Sequence, residues 1–205
     1  MKICFTTNSF LKGSGIAEYL RGLCNELSKR HDIYIVTPKS DINFKTVLKA
    51  HWKIGVPVVK HFFSYKIKNL PKFDVVISNY PPISAVRTAG MISKKQRIPH
   101  VVIDYGVAQP MHFRDLRTIL AHWVVKRSTK IWYGRATKVL SISKFLAREV
   151  SSKMGLKSHA IIGGIDFQRF QKPKKTGVLR KHKLKKDDYV LFVGRISPHK
   201  GIDNV

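Results

Sequence analysis

The alternation of short apolar runs with segments of helical periodicity constrains this fold more than any other feature of the sequence. The apolar runs read as buried strands, and most of the segments between them carry apolar residues at helical spacing. Such alternation is typical of sheets whose neighbouring strands run parallel. We therefore predict an α/β fold, a Rossmann-like parallel sheet with helices on both faces, whose strands lie at 2–7, 33–37, 73–79, 99–104, 137–141 and 159–162.

The first β-α-β unit places a glycine loop where ligands bind in open α/β sheets. The strand at 2–7 is followed by a turn-rich loop at 8–15 and by a helix at 16–30. Gly13 and Gly15 would let a ligand approach backbone N–H groups at the helix start, although a plain turn explains them equally well. The loop is not a dinucleotide fingerprint, because Glu18 stands where the third glycine belongs.

The strand at 99–104 ends in polar residues at the same edge of the predicted sheet. Asp104 and Tyr105 lie at its carboxyl end, where sites collect in this fold class, so both are acceptor-side candidates. Asp104 either faces a ligand or caps the following turn. His100 lies at the other end of the strand, which favours a packed or surface histidine over a catalytic one.

Two further helices have start signals that can be read directly. Pro81 and Pro82 open a helix that runs to about Lys95, and Ser143 is placed to cap a helix that ends near Met154. The region from 41 to 72 is less regular, and we predict an edge strand and a loop there.

The segment from 111 to 135 is the most amphipathic of the chain and is open to two interpretations. Its apolar residues fall on one helical face as far as Val124, after which basic and aromatic residues follow. It either packs on the sheet or lies on a membrane surface. In the second case the contact residues are Trp123, Lys126, Arg127, Lys130 and Trp132.

The charge balance favours anionic partners. The chain has 39 Lys and Arg against 12 Asp and Glu, a net charge of +27. A field of this size attracts nucleic acid, anionic membrane or phosphorylated ligands, although net charge says nothing about fold. Cys4 and Cys24 are too few and too separated for a disulfide framework or a zinc site, which indicates buried free thiols and a reducing compartment.

The final residues predict the opening of a second domain. Residues 171–188 are almost entirely polar and basic, as in a linker, and the apolar run Val190–Val193 then leads into Gly194. Arg195 and Lys200 follow at the mouth of the turn, an arrangement that α/β folds use to bind anions. We predict an N-terminal domain at 1–170, a linker at 171–188 and an incomplete domain at 189–205, whose exposed apolar start allows self-association.

In their order and spacing, five segments resemble those of a known family, the retaining nucleotide-sugar glycosyltransferases of family 4, which have the two-domain GT-B fold. The segments are Gly13-Ser14-Gly15, Phe73-Asp74-Val75-Val76, Ser141-Ile142-Ser143, Gly164-Ile165-Asp166 with Phe170, and Gly194-Arg195 through Lys200-Gly201. The resemblance implies that the chain corresponds to the acceptor-side N-terminal domain and the first strand of the donor-side domain.

The resemblance also implies roles for individual residues. Arg195 and Lys200 would contact the donor diphosphate and stabilise the departing phosphate without a metal, and no cofactor is expected. The loop with Gly13 and Gly15 would approach the same cleft from the other side. The glutamate pair of the family lies beyond these residues, and no catalytic base is assigned.

Two functions from different classes are compatible with the sequence. In the first, the protein transfers a hexose with retention from a nucleotide-sugar to a lipid-linked or membrane-proximal glycan acceptor, as a cytoplasmic enzyme peripheral to the inner face of the membrane. The 205-residue piece would then be inactive, because half of the donor site is missing. In the alternative, the chain is a non-catalytic domain that binds nucleic acid or anionic membrane, although no nucleic-acid-binding motif is present.

Overall fold

The computed structural model describes residues 1–44, 46–52, 63–106, 116–165, 167, 171, 177–185 and 188–194, and for 116–122 and 125 it describes the backbone alone. The chain forms two compact units, Met1–Gly163 and Gly164–Val205. Arg195 and Lys200 lie outside the described residues, as do Asp166 and Phe170 of the resemblance.

The first unit is built on a seven-stranded sheet in the order β3-β2-β1-β6-β7-β8-β9, in which every neighbouring pair is parallel. The strands of this sheet are β1 (Lys2–Thr6), β2 (Asp32–Thr37), β3 (Val47–Lys49), β6 (Val75–Tyr80), β7 (His100–Asp104), β8 (Lys138–Ser141) and β9 (Ser158–Ala160). A separate antiparallel pair joins β4 (His51–Trp52) to β5 (Tyr65–Lys66). The predicted α/β fold with a parallel sheet is confirmed.

The helices cover both faces of the sheet. The connections after β1, β6, β7 and β8 contain α1 (Gly15–Leu27), α2 (Ile83–Gln96), α3 (Leu116–Gly134) and α4 (Lys144–Met154), and the second unit contains a short α5 (Val178–Lys181). Helix α1 buries Ala17, Leu20 and Cys24 against Phe5 and Ile35 on one face. Helices α2 to α4 pack on the other face. Successive residues of a strand point to opposite faces of the sheet, so each central strand contributes residues to the cores on both faces.

Helix α4 shows how local sequence sets a helix boundary. The Ser143 hydroxyl accepts the backbone N–H of Leu146 at 3.1 Å, and Gly155 ends the helix with a positive φ of 67°. A serine N-cap satisfies a donor that has no partner within the helix, and a glycine after the last turn adopts the left-handed conformation without a Cβ penalty. The predicted Ser143 cap is confirmed.

In residues 123–134, where side chains are described apart from that of 125, helix α3 packs through a face other than the one that carries Trp123 and Val124. Trp123 and Val124 are 60% and 48% exposed, whereas Thr129 and Tyr133 are buried at 0% and 1%. Tyr133 lies in the core with Tyr80, Val86 and Val139. The hydrogen bond from Thr129 to Tyr80 and the buried ring of Tyr133 therefore orient this part of the helix, and Trp123 and Val124 face outward.

In the second unit, the run Val190–Val193 is exposed. Val190, Leu191 and Val193 are 91%, 72% and 83% exposed, and no strand forms at these residues. A strand needs a hydrogen-bonded neighbour, and the described residues of this unit supply none. The predicted exposure of apolar surface is confirmed, and the predicted strand is absent here.

Candidate functional site

The strand order of the main sheet reverses at β1. The chain runs outward from β1 through β2 to β3 and then returns to β6, on the other side of β1. The loops that leave β1 and β6 therefore diverge at the carboxyl edge of the sheet. Ligands of open α/β sheets bind in the crevice that such a divergence creates.

A pocket of about 330 Å³ lies at this position and is lined by Thr7, Asn8, Ser9, Ser14, Ile16, Pro81 and Pro82. The Oδ1 atom of Asn8 is buried and has no hydrogen-bond partner among the described residues, and the Thr7 hydroxyl donates to the Ser9 carbonyl at 3.2 Å. The pocket therefore combines small polar side chains with two proline rings.

The glycine loop brings the start of α1 to this pocket. Gly13 has a φ of +76°, a left-handed conformation that favours glycine, and Gly15 is the first residue of the helix. Ser14 occupies the N-cap position, but its side chain accepts no capping hydrogen bond. The Ser14 side chain thus does not cap the first N–H groups of α1, and a helix start of this kind attracts anions.

A Cβ added at Gly13 or at Gly15 would meet no atom within 4 Å. The space in front of the helix start is therefore open, so an incoming group can reach the backbone. Gly13 and Gly15 flank Ser14, which lines the pocket, and their part in ligand binding stays a prediction.

Asp104 lies at the end of β7 and is only 5% exposed. Its Oδ1 atom accepts the N–H of Gly106 at 2.8 Å, so the carboxylate caps the turn that follows the strand. Burial raises its pKa above the usual value, and the Gly106 N–H and the Tyr133 hydroxyl oppose that rise. Of the two interpretations of Asp104, the described residues show the turn cap.

Tyr105 connects the carboxyl edge of the sheet to α1. Its hydroxyl donates to Oδ1 of Asn79 at 2.8 Å, and its ring packs edge-on against Tyr19 with centroids 5.6 Å apart. The Asn79 amide in turn donates to the Thr6 carbonyl at 3.3 Å. Tyr105 is therefore held in place by β6 and α1, the two elements that border the crevice.

Three buried polar residues next to Asp104 were not singled out from the sequence. Tyr80 pairs with Asp104 across β6 and β7, and its hydroxyl accepts from Thr129 of α3 at 3.0 Å. The rings of Tyr80 and Tyr133 meet edge-on with centroids 5.4 Å apart. The Tyr133 hydroxyl makes no hydrogen bond of normal geometry to the described residues. It nevertheless lies close enough to Asp104 to oppose part of the rise that burial causes in the pKa of Asp104. Tyr80 is the last residue of β6 and precedes two prolines, and this position at the carboxyl end of a strand is the sequence signal that could have identified it.

His100 is a packed histidine at the other end of β7, as expected. It is 1% exposed, its Nε2 atom lies 2.8 Å from Oγ of Ser78, and burial lowers its pKa to about 4. It therefore remains neutral near pH 7.

The α3 candidates fall into two environments. Trp123, Lys126, Arg127 and Lys130 are exposed. Trp132 is half-buried and lies against α2, where a Cβ added at Gly90 would be 2.7 Å from its Cζ3 atom. The guanidinium groups of Arg87 and Arg135 lie 5.5 and 5.1 Å from the centroid of the Trp132 ring. Trp132 is thus part of the contact between α2 and α3.

The described residues contain neither a grouped set of metal ligands nor a helix suited to span a membrane. No three His, Cys, Asp or Glu side chains there are grouped as metal ligands. None of the helices described is both long and apolar enough to cross a bilayer.

Comparison with known proteins places this geometry in context. The sequence profile of Glycosyltransferase Family 4 matches residues 13–169. The crystal structure of Anabaena Alr3699/HepE in complex with UDP-glucose gives a TM-score of 0.58 at 16% identity, covering 89% of this chain and 49% of that one. The same protein in complex with UDP and glucose gives a TM-score of 0.60 at 14% identity, with the same coverage. No curated protein matches the sequence. The chain thus spans about half the length of these solved structures, and the likeness shows a shared fold.

Proposed function

Because this chain belongs to Glycosyltransferase Family 4, we propose that it forms the acceptor-side part of an enzyme that transfers a hexose from a nucleotide-sugar to a glycan acceptor. The observation that carries the proposal is the open start of α1 at the strand-order reversal, inside the matched region. A nucleotide-sugar donor is supported by the UDP-glucose that the solved structure of Alr3699/HepE contains. Family membership does not favour the alternative, a non-catalytic domain that binds polyanions.

The donor phosphates are assigned to the start of α1. Its first N–H groups, which the Ser14 side chain does not cap, and the helix dipole favour a negative charge, and Gly13 and Gly15 leave the approach open. Arg195 and Lys200 are the proposed cationic contacts to the donor diphosphate, and they would stabilise the leaving phosphate without a metal. We assign no catalytic base and no cofactor.

The acceptor is assigned to the side of the crevice formed by the end of β7. The Tyr105 ring is fixed by Tyr19 and Asn79, which makes it a rigid wall for a sugar. Asp104 would help to position Tyr105, because its carboxylate accepts the Gly106 N–H and so fixes the turn that contains Tyr105. We further propose that the transfer retains the anomeric configuration and that the acceptor is lipid-linked or close to the membrane, with the protein peripheral on its cytoplasmic side.

Titration with UDP and UDP-glucose tests the donor assignment. Gly15→Asp adds a carboxylate at the start of α1, where the dipole tolerates it but a phosphate is repelled. Gly22→Asp is the matched control, because Gly22 is an exposed residue of the same helix and the net charge changes equally. We expect Gly15→Asp to weaken binding about tenfold and Gly22→Asp to leave it within twofold. Equal affinities for the two variants would refute the assignment.

A second measurement tests the chemistry. Incubation of the native protein with UDP-glucose and a panel of glycan acceptors, followed by NMR of the product, reports the anomeric configuration of the new bond. An α-linked product from the α-configured donor supports retention, and a β-linked product excludes it.

A further inference from the structure

Helix α3 presents an exposed surface that combines apolar and cationic side chains. Trp123, Val124 and Ile131 are 60%, 48% and 47% exposed, and Lys126, Arg127 and Lys130 lie among them. We call these six residues the outer surface of α3. Each of these large apolar side chains leaves about half or more of its surface exposed, and their position on one surface indicates a contact with something else.

The helix geometry separates this surface from the core. Trp123, Arg127 and Ile131 follow one another at four-residue intervals and therefore form one stripe. Thr129 and Tyr133, which pack against β6 and its neighbours, lie on the opposite side of the helix. The buried residues Thr129 and Tyr133 thus contact the core, whereas the outer surface of α3 is exposed.

The charges on the outer surface have no acidic partner among the described residues. Helix α3 contains no Asp or Glu, and the three ion pairs of the described chain lie on α1, beside it, or on α4. The Arg127 guanidinium lies 5.8 Å from the centroid of the Trp123 ring, so the cation and the aromatic side chain face outward together. The surface is therefore complementary to a partner that is anionic and offers an apolar layer.

We propose that the outer surface of α3 docks on an anionic lipid bilayer. Trp123, Val124 and Ile131 would enter the boundary between headgroups and acyl chains, and the three cations would contact the phosphates. A nucleic acid would also satisfy the cations, but it would leave two aliphatic side chains without a partner. This proposal rests on the proposed function, because a membrane-proximal acceptor would explain why the protein docks on a bilayer. Binding to lipid is nevertheless measured separately from donor binding.

This docking surface differs from the one that the sequence suggested. Trp132 is excluded, because it packs against Gly90 between two arginines. Val124 and Ile131 take its place as exposed apolar contacts. Because Trp132 lies on the same helix but packs against α2, it is a matched control for the exposed Trp123.

Co-sedimentation of the protein with vesicles tests the proposal. Phosphatidylcholine vesicles with and without 30% phosphatidylserine serve as anionic and neutral surfaces, a composition of about one charge in three lipids. We expect Trp123→Ser/Ile131→Ser and Lys126→Gln/Arg127→Gln/Lys130→Gln each to weaken binding to anionic vesicles at least tenfold. Trp132→Phe should bind like the unmodified protein, since its side chain faces α2.

A charge-matched variant separates docking from the general field of a chain with a net charge of +27. Arg180→Gln/Lys181→Gln/Lys183→Gln removes the same three charges from exposed residues of the second unit. Binding within twofold of the unmodified protein is expected for this control. Equal losses for the two triple variants would overturn the proposal, as would preferential binding to duplex DNA of the same charge density.

Fluorescence locates the contact directly. Trp52→Phe/Trp132→Phe leaves Trp123 as the remaining tryptophan, and Trp52→Phe/Trp123→Phe leaves Trp132. Vesicles with brominated acyl chains should quench Trp123 and not Trp132, and the reverse pattern would refute the proposed surface. UDP titrations of the same variants should be unchanged, so a failure of docking is distinguishable from a failure of the proposed donor site.

Discussion

The Nε2 atom of His100 lies 2.8 Å from the Oγ atom of Ser78 in the interior of the first unit. The two residues belong to neighbouring strands, and the Nδ1 atom of the same ring has no partner among the described residues. A neutral imidazole satisfies this site, whereas an imidazolium would be a buried charge.

The first prediction concerns pH. Burial lowers the pKa of His100 from 6.5 to about 4, so the unfolded chain binds more protons between these values. The free energy of unfolding should therefore decrease as the pH falls from 6.5 towards 4, by about 3 kcal/mol from this group. Urea denaturation at several pH values measures the slope. His100→Gln should reduce the slope of the free energy of unfolding against pH. Ser78→Ala keeps the histidine and should leave that slope unchanged.

The second prediction concerns two helical glycines. A Cβ at Gly22 meets no atom, whereas a Cβ at Gly90 would lie 2.7 Å from Trp132. Gly22→Ala should raise the free energy of unfolding by about 0.5–1 kcal/mol through helix propensity. Gly90→Ala should lower it by about 1–3 kcal/mol, because the ring must move. Thermal denaturation compares the two, and equal shifts would contradict the packing of α3 on α2.

The third prediction concerns the N-cap of α4. The Ser143 hydroxyl accepts the N–H of Leu146. Ser143→Ala should lower the free energy of unfolding by about 1 kcal/mol, and Ser143→Asp should preserve it, since a carboxylate caps equally well and favours the helix dipole. Chemical denaturation of the two variants provides the measurement. Identical losses would show that the hydrogen bond is not what stabilises the helix start.

The fourth prediction concerns Asp104, whose pKa is raised by burial. A raised folded-state pKa contributes stability at low pH that is lost as the pH rises through it. Asp104→Asn keeps an acceptor for the Gly106 N–H and removes the ionisation. We expect this variant to lack that decrease and to be at least as stable as the unmodified protein at pH 7.

The control for this prediction is Asp104→Ala, which leaves the Gly106 N–H without its acceptor. Its free energy of unfolding should be about 1–3 kcal/mol lower than that of Asp104→Asn, which lacks the same ionisation but keeps the acceptor. If Asp104→Asn proved as destabilising as Asp104→Ala in urea titrations at pH 7, the carboxylate itself would be required at this position.

Six strands, the helices α1, α2 and α4 and the glycine loop follow from sequence periodicity, because each depends on residues that are close in the chain. The orientation of α3 does not follow from it. Thr129 and Tyr133 meet Tyr80, which is distant in sequence, and these contacts outweigh the apolar stripe that includes Trp123. The surroundings of Asp104 could not be predicted for the same reason, because its neighbours lie on other elements that are distant in sequence and leave no local pattern.

The central position of β1 has a consequence for synthesis on the ribosome. β1 is synthesised before the other strands of the sheet, yet one of its two edges pairs with β6. Ile3 therefore has no partner on that edge until Val75 has been synthesised. Until then the nascent chain exposes an unpaired strand edge rich in apolar residues, which invites chaperone binding or misassembly. Contacts of this sequence separation also slow folding. The strand that carries the glycine loop is thus completed only after β6 has been made, and the crevice beside it forms when about half of the sheet has been assembled.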